Sequence, residues 1–108
     1  MKATFTNFTD ESNWVDGVVS TDNQEYKFSA KLFDVGSNYG INDGRVSKLS
    51  IRLQDTTWDK SIVNYDRGWD IEPKTDEHKQ IFNVIMELLE NSPKRFLRWK
   101  VNKRSLLK

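Results

Sequence analysis

The single histidine, His78, is the first place to look for chemistry in this sequence. A nucleophilic mechanism needs a nucleophile, a base and a group that orients the base. No Gly-x-Ser-x-Gly elbow surrounds any serine, so one imidazole leaves that frame incomplete. The chain has no cysteine, and a transition-metal site would have to recruit carboxylates such as Asp70, Asp76 or Glu77 beside His78. Sixteen Asp and Glu residues make carboxylate pairs easy to find and therefore uninformative. Gly36, Gly40 and Gly44 are evenly spaced but open onto no helix with a Lys-Ser/Thr, so they form no phosphate loop. Asp34 also fails to start a calcium loop, because Gly36 and Arg45 stand where the third and twelfth positions need oxygen ligands. The expectation is a protein with no catalytic residue, metal or cofactor, and with His78 packed at the start of a helix.

Two clusters suit recognition better than catalysis. Tyr65-Asp66-Arg67-Gly68-Trp69-Asp70 sets an arginine between two acids and near two aromatic rings. Arg and Trp dominate binding hot spots, although the same residues can simply end a strand at a turn on Gly68. Residues 34–44 hold three Gly, two Asn and two Asp, with Tyr39 in their midst and a tight-turn signal at Asn42-Asp43-Gly44. Loops of this kind carry recognition because a rigid sheet positions them. The predicted partner surface is Tyr39, Asp43, Asp66, Arg67, Trp69 and Asp70, with Asp34 adding to the negative field that would steer a basic partner. A second surface lies near the C-terminus, where Lys94, Arg95, Arg98, Trp99 and Lys100 interleave charge with a stacking ring, as single-stranded nucleic acid requires.

The elements that would position these residues follow from periodicity. Trp14 to Ser20 is rich in β-formers, Thr21 to Gln24 is turn chemistry, and Glu25 to Phe33 alternates with Tyr26, Phe28, Ala30 and Leu32 on one face. These two segments form a hairpin. Arg45 to Leu53 is a third strand, in which Val46 falls out of phase with Leu49 and Ile51 and a bulge is expected near Ser47. Gln54 to Asp59 turns, and Ser61 to Tyr65 is a fourth strand. Lys74 to Asn91 is a helix, capped by Thr75, with a stripe through Ile81, Phe82, Val84, Ile85, Leu88 and Leu89 and a stop at Pro93. Met1 to Ser12 is a lead-in or a short edge strand. The fold class is α+β: a four-stranded antiparallel meander with one C-terminal helix packed on one face, spanning residues 1–92, and a basic tail over 93–108.

Bulk properties agree with a single domain of 108 residues. Thirteen aromatic residues are enough for a packed core. The absence of cysteine suits a reducing compartment, and neither an apolar signal core nor a membrane-spanning run is evident, so a cytoplasmic protein is expected. The net charge of +1 averages −6 over residues 1–92 and +7 over residues 93–108.

The order of Trp14-Val15-Asp16-Gly17, Lys31-Leu32-Phe33-Asp34, Gly36-Ser37-Asn38-Tyr39-Gly40-Ile41, Gly44-Arg45-Val46-Ser47-Lys48-Leu49 and the Tyr65–Asp70 cluster resembles a domain-of-unknown-function family of small proteins from Gram-positive bacteria and their phages. That resemblance covers about residues 14–90 and implies an origin, with no functional residue to transfer. In size, compactness and lack of catalytic groups the chain is similar to anti-CRISPR proteins. It implies a non-enzymatic phage or prophage accessory protein that binds and inhibits a host defence protein, with a type II-A Cas9 the first target to consider. The alternative is a nucleic-acid-binding accessory protein that uses the basic tail.

Overall fold

A computed structural model describes residues 1–8 and 12–94 of the chain. Six strands follow one another as an antiparallel meander: β1 (Lys2–Phe8), β2 (Trp14–Ser20), β3 (Glu25–Leu32), β4 (Val46–Leu53), β5 (Val63–Asp66) and β6 (Trp69–Ile71). One helix, α1 (Asp76–Glu90), completes the order. The α+β class, the meander and the C-terminal helix match the expectation, but the sheet has six strands where four were expected.

Both additional strands lie at edges, where the sequence signal is weakest. β1 is mostly polar, and its inward rings pack on each other and on β3. Phe5 stacks on Phe8 with ring centroids 4.6 Å apart and meets Phe28 edge-on at 6.4 Å. Gly17 makes this possible, since a Cβ there would run into both the Phe28 ring and the Thr4 carbonyl. β6 occupies a segment that reads as part of a turn. Its Trp69 pairs with Tyr65 and its Ile71 with Asn64, leaving Asp70 as an extra residue between them.

The inner strands follow the alternation closely. Tyr26, Phe28, Ala30 and Leu32 are buried on β3, and Leu49 and Ile51 on β4. The bulge expected near Ser47 is present: Leu32 pairs with Val46 and Lys31 with Lys48, so Ser47 is left over and both it and Val46 are buried. Thr21 closes the β2–β3 turn, its Oγ1 accepting from the Gln24 N–H at 3.0 Å.

Thr75 caps α1 by accepting from the His78 N–H at 3.0 Å, and Asp76 and Glu77 sit at the positive end of the helix dipole. Ile81, Ile85 and Leu89 are completely buried against the sheet, with Phe82, Met86 and Leu88 packed around them. At the other end of the helix, Arg45 acts as a clamp. Its Nε donates to Phe33 O (2.8 Å), its Nη1 to Glu90 O (3.1 Å) and Ser92 O (2.7 Å), and its Nη2 to Pro93 O (3.3 Å). The Arg45 N–H also donates to the Glu90 carboxylate at 2.9 Å. One arginine thus donates to several carbonyls at the end of the helix, where the intrahelical ladder has run out of donors. No helix among the described residues is long and apolar enough to cross a membrane.

Candidate surface cleft at one end of the sheet

The bulge at Ser47 begins the assembly of the site. Its carbonyl accepts from the Arg67 N–H at 2.9 Å, which pins the β5–β6 turn against β4. Arg67 is held at φ 57°, in the left-handed region. Asn42 and Asp43 share that conformation, at φ 54° and 59°, but their side chains tolerate it. An arginine does not have that excuse, and the glycine beside it does not take the positive φ. The turn therefore bends at Arg67 and not at Gly68, as the sequence suggested. The strain projects a guanidinium whose side chain remains 63% exposed and pairs with Asp66 at 3.3 Å.

The loop from Asp34 to Gly44 forms the opposite wall. It braces itself: Gly40 N–H donates to Ser37 O at 3.0 Å and Ser37 N–H to Gly44 O at 3.1 Å. Instead of a plain tight turn, Ile41–Asp43 makes a short 3-10 turn whose Ile41 is buried in the core. The buried Tyr65 hydroxyl donates to Tyr39 O at 2.8 Å and ties the loop to β5. The Tyr39 ring itself is 58% exposed.

Between the walls lies an open cleft of about 600 Å³. Tyr39, Arg67, Lys31, Lys48 and Phe33 line it. Of the residues predicted to meet a partner, the cleft brings together Tyr39 and Arg67. Asp66 adjoins it, paired to Lys48 at 3.7 Å and to Arg67. Asp43 and Asp70 are exposed but outside its lining, while Asp34 is part of it. Trp69 faces the other way: its ring meets Tyr65 at 5.1 Å and Phe82 of the helix at 5.5 Å, leaving it 39% exposed. It covers the end of the sheet and joins it to α1.

The cleft is more cationic than the acidic composition of residues 1–92 suggests. Lys31 and Lys48 are the missed contributors. They belong to the polar face of the alternating strands, and only the cross-strand register sets them opposite each other. His78 is half-buried with its ring 6.3 Å from that of Tyr26. The Tyr26 hydroxyl lies 3.0 Å from the Glu77 carboxylate; burial, and then that contact, push its pKa up from 10.0 to about 12. Among the described residues no group of three His, Asp or Glu side chains could hold a metal ion. Lys94 is exposed, whereas Arg95, Arg98, Trp99 and Lys100 lie outside the described residues.

The profile of a family described as a domain of unknown function, DUF7678, matches residues 13–90. No curated protein and no solved structure matches the chain.

Proposed function

The chain belongs to the DUF7678 domain family, and on that premise we propose that it is a non-enzymatic binding protein whose cleft end engages another protein. The partner we name is a host defence protein, inhibited by occupancy, with a type II-A Cas9 the first to assay and a phage or prophage origin for the chain itself. One observation carries the reading: Tyr39 and Arg67, on separate loops, are both exposed and both line a single cleft. Tyr and Arg are residue types that supply hot-spot energy, and strain at an exposed arginine costs stability without improving packing.

The test is DNA cleavage by several such nucleases with and without the protein. Tyr39→Ala and Arg67→Ala should abolish inhibition while the melting curve stays close to wild type. Trp69→Ala should lower stability and inhibition together, because its ring packs on Tyr65 and Phe82. Unimpaired cleavage by all the nucleases removes that target. Failure to retain any protein from a host lysate removes the inhibitor reading.

A further inference from the structure

Among the described residues, no helix or strand packs over the sheet face opposite α1, which is bordered at β4 by the short 3-10 turn Trp58–Lys60, and its composition is unusual for a solvated surface. On the two central strands, Lys27 pairs directly with Arg52 and Lys31 with Lys48. Like charges in directly opposite positions weaken a sheet, so two such pairs in register oppose stability. Asp66 compensates Lys48, but Lys27 and Lys31 have no ion pair among the described residues. Acids also border this face: Asp16, opposite Ser29, lines a hollow with Lys27, Asp34 lines the cleft with Lys31, and Glu25 lies opposite Ser20.

Aromatic rings accompany the cations. Trp14 at the start of β2 and Trp58 on the β4–β5 connection are each 45% exposed. Lys48 Nζ lies 6.0 Å from the Trp14 ring, the Arg52 guanidinium 4.5 Å from the Trp58 ring, and Lys31 Nζ 5.5 Å from the Phe33 ring. The two indoles border one hollow of about 270 Å³, whose polar lining includes Ser29, Ser50 and Asn64. Lys48 also lines the cleft at the sheet end, and Trp58 and Ser29 line the next hollow with Lys27. Sharing Lys48, Ser29 and Trp58, the three adjoining concavities make up a track along this face.

We propose that this open face binds single-stranded nucleic acid, with Lys27, Lys31 and Lys48 contacting phosphates and the Trp14 and Trp58 rings stacking on bases. Exposed rings set among cations match a polymer that offers negative charge and unstacked planar faces together. A duplex keeps its bases stacked and offers such rings nothing but its backbone. An acidic peptide would satisfy the lysines and leave both indoles without a complement. None of these contact residues belongs to the basic segment over 93–108, and the inference does not depend on the nuclease-inhibitor reading.

The experiment uses the full chain and fluorescence anisotropy with labelled dT and rU oligomers, a DNA duplex and a poly-glutamate peptide. Binding of one or both single strands above duplex and peptide is expected; the dT and rU arms decide between DNA and RNA. Lys31→Gln/Lys48→Gln should flatten the slope of log affinity against log salt by about 1.4, the share of two phosphate contacts on a single strand. Trp14→Ala should weaken binding by about tenfold and leave that slope unchanged. Circular dichroism melts of each variant separate these effects from unfolding, and Trp58→Ala provides a second stacking test if Trp14→Ala fails to fold. Three results overturn the proposal: no single-strand binding at low salt, equal binding of poly-glutamate, or loss of binding only when Lys94, Arg95, Arg98 and Lys100 are changed to Gln.

Discussion

The two faces of the sheet are made by the same strands and obey different rules. Toward α1, Tyr26, Phe28, Ala30 and Leu32 of β3 meet Leu49 and Ile51 of β4, and all are buried in one cluster. One residue away along each strand, Lys27, Ser29 and Lys31 face Arg52, Ser50 and Lys48. The first set is what any sheet needs if a helix is to cover it. The second places charge against like charge where threonine or alternating signs would serve stability better. The helix side is therefore explained by folding, whereas the like-charge pairs of the open side run against it.

The largest expected effect tests the helix side. Ile85 is wholly buried in the centre of the α1 stripe, so Ile85→Asp places an unpaired charge in the core. The cost is several kcal/mol, on the order of the domain's whole stability. A circular dichroism melt should show no cooperative transition, and a near-normal melt would break the claim that this face holds the fold.

Next is the clamp at the helix end. Arg45→Met keeps the aliphatic stem and removes the donors to Phe33, Glu90, Ser92 and Pro93. Charged donors to carbonyls are worth about 3 kcal/mol together here. Denaturant titration should show that loss, with nucleic-acid binding by the folded fraction unchanged.

Tyr26 gives the helix side a pH signature. The folded protein holds the Tyr26 proton more tightly than the unfolded chain, since the pKa rises from 10.0 to about 12. Its stabilising contribution is complete below pH 10 and is lost as the pH climbs to about 12. Stability measured across that window should fall more steeply for wild type than for Tyr26→Phe. Equal slopes would mean that burial and the Glu77 contact together do not hold the Tyr26 proton in the folded protein.

How much of this was legible in the sequence depended on the range of the forces involved. The β3 alternation, the helix stripe, the Thr75 cap and the Ser47 bulge are local patterns, and all were readable. The edges were less so: an edge strand within Met1 to Ser12 was one of two alternatives, because β1 is held by Phe28 across the sheet, and β6, which rests on its pairing with β5, was missed. Arg45 looked like an ordinary strand start, since its acceptors on Glu90, Ser92 and Pro93 are more than forty residues away. Tyr39 and Arg67 were identifiable by residue type and loop context. The charged ladder was not, because Lys27, Lys31, Lys48 and Arg52 become a feature only once β3 and β4 are set in register.

Arg67 sharpens the comparison at the cleft end. Its left-handed backbone costs a non-glycine residue about 1 kcal/mol, and Arg67→Gly should recover part of that as a higher melting temperature. Arg67→Ala should not, because the Cβ remains. If the arginine serves a partner, both variants should lose inhibition although only one gains stability. A destabilised Arg67→Gly would show that the side chain, through Asp66, holds the turn.

The smallest expected effect concerns the ladder itself. Lys27→Glu converts the Lys27–Arg52 like-charge pair into an opposite-charge pair at the same register position. A cross-strand change of that kind is worth about 0.5 kcal/mol in favour of the fold. Arg52 is already occupied with the Leu53, Gln54 and Thr56 carbonyls and with the Trp58 ring, so the gain should fall short of a new, fully formed ion pair. The same substitution places a carboxylate where a phosphate would lie, and so should weaken single-strand binding. Stability and binding must then move in opposite directions, a signature that a merely solvated lysine cannot produce. Paired denaturant titrations and anisotropy at low salt measure both in one variant. A gain in stability with unchanged binding would take Lys27 out of the track, and a loss of stability would mean that the ladder is structural after all.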